Sequence, residues 1–138
     1  MRLAKTDTMQ NALVSGFLQI CENTHAPIIL DAHTVIDKGK RLDKVKPSFF
    51  RDLGINFIVH LKEKPAIIFA RRKRDKIRNR PNRTVREIER QQVKSIAQAA
   101  IIGAALNIPS VQLLTDQHNR LASVIYPDFQ NRSDNYEE

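Results

Sequence analysis

The chain of 138 residues contains a single cysteine, no tryptophan and only four glycines. Cys21 has no partner for an intrachain disulfide and no CxxC spacing, which excludes a disulfide framework and a cysteine-based zinc site and makes a reducing compartment the default. Four glycines leave no glycine-rich phosphate loop. There is no GxSxG, and His25, His33, His60 and His118 show neither HxxH nor HExxH spacing. No nucleophile and no zinc site are therefore assigned. Two Tyr, six Phe and no Trp provide no series of aromatics on which bases would stack, which argues against single-strand recognition. No stretch approaches the roughly 18 apolar residues of a membrane span, and the opening MRLAKTDTMQ lacks a signal-type apolar run. A soluble, intracellular protein with no membrane partner is expected, either cytoplasmic or nuclear.

The composition, 41% hydrophobic and 28% charged, suits one domain with a real core. That domain is expected over residues 1–130, with a disordered acidic tail at 131–138. Net charge is +8, and its distribution is uneven: residues 71–90 carry ten Lys or Arg against Asp75, Glu87 and Glu89. Such a segment attracts phosphate backbones or acidic proteins without sequence specificity. Arg71, Arg72, Lys73, Arg74, Lys76, Arg78, Arg80 and Arg83 are the candidate nucleic-acid-binding residues. The same run also reads as a solvated face or, at Arg71 to Arg74, as a nuclear localisation signal.

Apolar positions from Met9 to Ile20 follow helical spacing and predict an N-terminal amphipathic helix. Ile28-Ile29-Leu30-Asp31 reads as a buried strand ending in an acid. The basic, Gly- and Pro-interrupted stretch 37–51 is expected to be a loop. Ile55 to Leu61 and Ala66 to Arg71, joined by Lys62-Glu63-Lys64-Pro65, read as an antiparallel hairpin. Thr84-Val85-Arg86-Glu87 matches the capping box, so a long helix is expected from there to about Asn107, before Pro109. Its second half, Ile96 to Leu106, is apolar on nearly every face except at Gln98 and calls for cover on both sides. Gly103, among Ala99, Ala100, Ala104 and Ala105, would allow close packing, and a homodimer or partner interface is one reading of that helix. Val111 to Asp116 is expected to be a strand, followed by a short helix over 117–125 with Asp116 as its N-cap.

This order puts Asp31 and Asp116 at the ends of two apolar strands that would lie side by side. The chain here resembles the ribonuclease H-like superfamily, through Ile28 to Asp31 as the first strand, the hairpin after Gly54, and Arg90-Gln91-Gln92-Val93 followed by Asn107 to Asp116. The resemblance spans about Pro27 to Ile125 and implies an α/β fold with a mixed sheet and a long helix packed on it, plus the N-terminal helix. It also implies a carboxylate set for two magnesium ions, which orient water and stabilise the leaving oxygen in phosphodiester hydrolysis. The helix carboxylate of that set is replaced by Gln92, whose neutral amide lacks the charge a hard cation needs. The family glycine after the first acid is replaced by Ala32, and Asp128 and Asp134 are poor substitutes for the downstream acid.

The expected function is therefore that of a non-catalytic ribonuclease H-like binding module with a degenerate site at Asp31, Gln92 and Asp116 and no cofactor. Its partner would be a protein, a second copy, or nucleic acid through the basic segment. Two alternatives stand beside it. One is an active magnesium-dependent nuclease acting on RNA or RNA/DNA hybrid, with metal on Asp31 and Asp116 and Glu87 or Glu89 in place of the missing acid. The other is a structural homo-oligomerisation protein. For Gln92 itself, an ordinary hydrogen bond to backbone competes with a relic of a metal ligand.

Overall fold

The computed structural model describes residues 3–125. The chain is mixed α/β, with helices α1 (Leu3–Glu22), α2 (Pro47–Asp52), α3 (Pro65–Arg74), α4 (Val85–Leu106) and α5 (Leu121–Ile125). Its strands are β1 (Val35–Asp37), β2 (Leu42–Lys44), β3 (Ile58–Lys62) and β4 (Ser110–Leu114), and Thr115–Arg120 forms a 3-10 segment. They make two sheets of two strands. β1 and β2 form an antiparallel hairpin, and β3 and β4 pair in parallel with Ile58 opposite Ser110 and Lys62 opposite Leu114. The crossover between the parallel strands runs through α3 and α4, because parallel neighbours need a long connection.

α4 begins and ends where its sequence signals fall. Thr84 accepts the Glu87 N–H at 3.2 Å while the Glu87 carboxylate accepts the Thr84 N–H at 2.7 Å, completing the capping box. At the other end Asn107 is left-handed at φ 54°, with its N–H on the Ala104 carbonyl and the Ile108 N–H on that of Gly103. This is the Schellman arrangement, which asparagine tolerates better than other residues with a side chain.

Three local expectations are corrected. Ile28 to Asp31 lies outside any strand: Ile29 is 74% exposed. The stretch after Pro65 is a helix, so there is no hairpin between 55 and 71. Proline at the first helical position has its φ preset and no N–H to leave unsatisfied, and the four bases of the last turn, Arg71 to Arg74, complement the helix dipole. Those effects outweigh the strand preference of Ile67-Ile68. The stretch 37–51 holds β2 and most of α2, where Pro47 again starts the helix. α2 supplies Phe49 and Phe50, which meet edge to face at 5.2 Å.

The main core cluster is Val45, Phe50, Leu53 and Ile102, with Val14, Phe17, Leu30, Ile36, Ile58 and Leu106 against it, and Ile88, Ala99 and Leu113 are buried as well. Gln98 is buried and donates to the Val45 carbonyl at 2.8 Å, which removes the cost of burying its amide nitrogen. Among the described residues one side of α4 is covered: Ile102 is fully buried while Ile101 is 50% exposed. Gly103 serves the chain's own packing, since a Cβ there would lie 2.9 Å from Ser110 Cβ and 3.2 Å from the Ile108 carbonyl oxygen. Gly103→Ala is expected to destabilise the fold by roughly 1–2 kcal/mol, overpacking outweighing the gain in helix propensity. Urea unfolding checks this, with Ser110→Gly in the same chain restoring part of the loss.

Candidate anion-binding site

Asp37 ends β1 and opens a tight turn in which its carboxylate accepts the Gly39 N–H at 2.9 Å. The same carboxylate accepts Arg83 Nε at 3.0 Å, Arg83 Nη2 at 2.8 Å and Gln91 Nε2 at 2.7 Å. Arg83 also donates to the Gly39 carbonyl. The bidentate Arg83 guanidinium, the turn amide and the Gln91 amide hold the Asp37 carboxyl well below the usual carboxylate range, against the opposing effect of partial burial. This cluster fastens the β1–β2 hairpin to the first turns of α4 and fixes the approach of the basic segment.

Within that segment the arginines differ in what they do. Arg71 pairs with Glu63 at 3.3 Å and Arg80 with Asp75 at 3.8 Å. Lys73 Nζ sits 4.7 Å from the centre of the Phe69 ring, and Arg74, Lys76 and Arg78 are exposed. Asp75 Oδ1 accepts the N–H groups of Ile77 and Arg78, both at 3.2 Å, so an Asx turn orders the chain after α3. Arg72 stands apart. It is half-buried, and its Nε is inaccessible and, among the described residues, without a hydrogen-bond partner. Burial lowers its affinity for the proton, and the Arg80 and Arg83 charges add to that effect while Asp37 opposes it. The guanidinium stays charged, with donor capacity unspent in a field that is net positive.

The residues of the sequence-derived nuclease site are dispersed in role. Asp31 is exposed on the irregular stretch before β1, and Asp116 is exposed in the first turn of the 3-10 segment rather than capping a helix. The strand that would carry Asp31 beside Asp116 does not form, and β4 pairs with β3 instead. Gln92 spends both ends of its amide on one residue: Oε1 accepts the Glu63 N–H at 3.1 Å and Nε2 donates to the Glu63 carbonyl at 2.9 Å. Glu63 in turn accepts the Thr115 hydroxyl at 2.7 Å and the Lys64 N–H at 2.8 Å. Chiefly the Thr115 hydroxyl, then the Lys64 amide, lower its carboxyl below the ordinary value. Gln92, Glu63 and Thr115 thus clamp the carboxyl ends of β3 and β4 together. With Gln92 so engaged and Asp31 off the sheet, these residues do not fit a two-magnesium centre. Glu87 is committed to the capping box, and Glu89 is exposed. No group of three or more His, Cys, Asp or Glu is placed to hold a metal among the described residues. Asp128, Asp134 and the 131–138 tail lie outside those residues.

Sequence reasoning missed Asp37, Glu63, Gln91 and Thr115. Asp37-Lys38-Gly39 carries a local signal, an acid two residues before a glycine, which is an Asx-turn pattern. The other three contacts bridge at least 29 residues of sequence, and no local pattern encodes them. No helix among the described residues is long and apolar enough to cross a membrane. No protein-family model matches the chain, and no curated protein matches it in sequence.

Proposed function

We propose that this chain is a non-catalytic binding module that holds phosphate groups of a polyanionic ligand through the basic segment, with Arg72 at its centre and a nucleic-acid backbone as the first candidate. The supporting observation is Arg72: a half-buried guanidinium with an unsatisfied Nε among like charges. A phosphate beside that guanidinium would neutralise the repulsion from Arg80 and Arg83. Arg74, Lys76 and Arg78 would add exposed, screenable contacts around it. The order α4 then β4 is the part of the ribonuclease H-like reading that remains, and Gln92, spent on the Glu63 backbone, offers no carboxylate there, in keeping with binding without cleavage. An intracellular setting, cytoplasmic or nuclear, goes with such a ligand.

Fluorescence anisotropy with a labelled RNA/DNA hybrid, in competition with inorganic tripolyphosphate, tests this reading. Binding is expected to weaken steeply between 50 and 200 mM salt, and Arg72→Gln to weaken it at least about tenfold, as the loss of a charged hydrogen bond requires. Arg41→Gln, at an exposed arginine paired with Asp43, is expected to leave it unchanged. Equal effects of the two substitutions would remove Arg72 from the site. Binding of tripolyphosphate alone would place the ligand among small polyphosphates rather than nucleic acids, and magnesium-dependent cleavage of the hybrid would overturn the non-catalytic reading.

A further inference from the structure

Among the described residues the parallel sheet has an open side. Ile58 donates its N–H to the Pro109 carbonyl on the β4 side at 2.9 Å. Because main-chain groups alternate along a strand, Val59 and Leu61 turn theirs to the opposite edge. The corresponding edge of β4 is partly closed, since the Leu114 N–H donates to the Gln117 side chain at 3.1 Å. On β3 the Gln92 clamp begins only at Glu63, after the strand has ended. Leu61 is 53% exposed, and Ile28 and Ile29 are exposed at 39% and 74%. Among the described residues, none of the backbone groups from Pro27 to His33 takes part in a backbone hydrogen bond. Leu30 nevertheless packs against the same core cluster as Ile58.

Two-stranded parallel sheets are not self-sufficient, because such sheets are ordinarily buried on both faces and extended at their edges. A net charge of +8, with Lys62 and Lys64 at the end of β3, opposes self-association and favours acidic flanks on the occupant.

We infer that the free edge of β3, at Val59 and Leu61, receives a β-branched apolar strand with acidic flanks from another polypeptide, which pairs with that edge beside the exposed Leu61. This is β-augmentation, in which main-chain hydrogen bonds supply affinity and side-chain alternation supplies selectivity. It is independent of the phosphate reading, since Arg72 takes no part in it.

The probe is a fluorescein-labelled synthetic peptide, Glu-Glu-Val-Thr-Ile-Thr-Val-Thr-Ile-Glu-Glu, titrated into the full chain. Saturable binding below about 100 µM is expected, with slowed hydrogen exchange at the Val59 and Leu61 amides of the unsubstituted protein. Leu61→Pro removes the N–H that faces the free edge together with the exposed Leu61 side chain and is expected to weaken binding at least tenfold. Gln112→Pro, which removes the equivalent N–H on the outer edge of β4, is expected to leave it unchanged. Absence of saturable binding, equal loss in both variants, or protection on β4 instead of β3 would overturn the proposal. So would a concentration-dependent dimer with Val59 and Leu61 already protected, since the occupant would then be a second copy.

Discussion

Ile102→Ala should lower the unfolding free energy by about 3 kcal/mol, within the range of roughly 2–5 kcal/mol for emptying a buried isoleucine site. Ile102 has no exposed surface and joins α4 to Val45, Phe50 and Leu53 of the β2–α2 region. The loss combines the transfer free energy of the deleted carbons with a cavity that the surrounding residues fill only in part. Few other residues are buried as fully, so a small core has little to compensate with, and typical stabilities are only about 5–15 kcal/mol. With a urea slope of about 1.5 kcal/mol per molar, the midpoint should fall by about 2 M. Ile101→Ala is the matched control: the same substitution one position along, at a side chain that is 50% exposed, should cost less than about 1 kcal/mol, because little area leaves the core and alanine favours the helix. Similar midpoints for the two variants would show that α4 does not present Ile102 to the core.

Asp37→Asn should destabilise the fold at neutral pH by about 2 kcal/mol, a figure discounted for the partial exposure of the site to solvent. The carboxylate accepts from Arg83, Gln91 and the Gly39 amide, whereas an asparagine would turn an amino group toward donors or surrender half of these bonds. The acid dependence follows in sign. The folded carboxyl is held below the usual range, while the unfolded one titrates near 3.9, so between those values the unfolded state binds more protons. The contribution of Asp37 is complete above about pH 5 and is lost as pH falls through 4 and below. Urea midpoints measured from pH 7 to pH 3 should fall less steeply below pH 4 in Asp37→Asn than in the unsubstituted protein. Parallel acid limbs would remove Asp37 from the linkage. His60, whose protonation burial disfavours, acts earlier in the descent: its neutral form is the one the fold accommodates, so stability declines as pH falls below about 6.5 in both proteins.

The two predictions concern the two ends of α4, and that helix was the most legible part of the chain. Thr84 and Glu87 mark its start, Asn107 its end, and the alternation of Ile88, Ile96 and Ile102 with charged residues gives its buried side. Such signals are local: a cap is complete within four residues and a helical stripe within a few turns. The α1 helix and the β4 run were legible for the same reason, but the expected α1 stripe is not its inward face: Met9, Leu13 and Ile20 are exposed, and Val14 and Phe17 pack against the core. The basic segment was visible as composition, although its beginning as a helix turned on Pro65 rather than on charge.

By itself, then, the sequence determined a one-cysteine α/β chain with a long capped helix, a strand after it and a concentrated positive field between residues 71 and 90. Tertiary structure alone decided which strand β4 joins, that Ile28 to Asp31 joins none, and that Gln92 clamps the Glu63 backbone instead of standing beside Asp31 and Asp116. It also decided that, among the described residues, Arg72 is the basic residue that buries a donor without a partner. Pairing of strands and satisfaction of buried polar groups are contests among partners distant in sequence, settled by burial and hydrogen-bond geometry, whereas helix capping and charge density are written in neighbours.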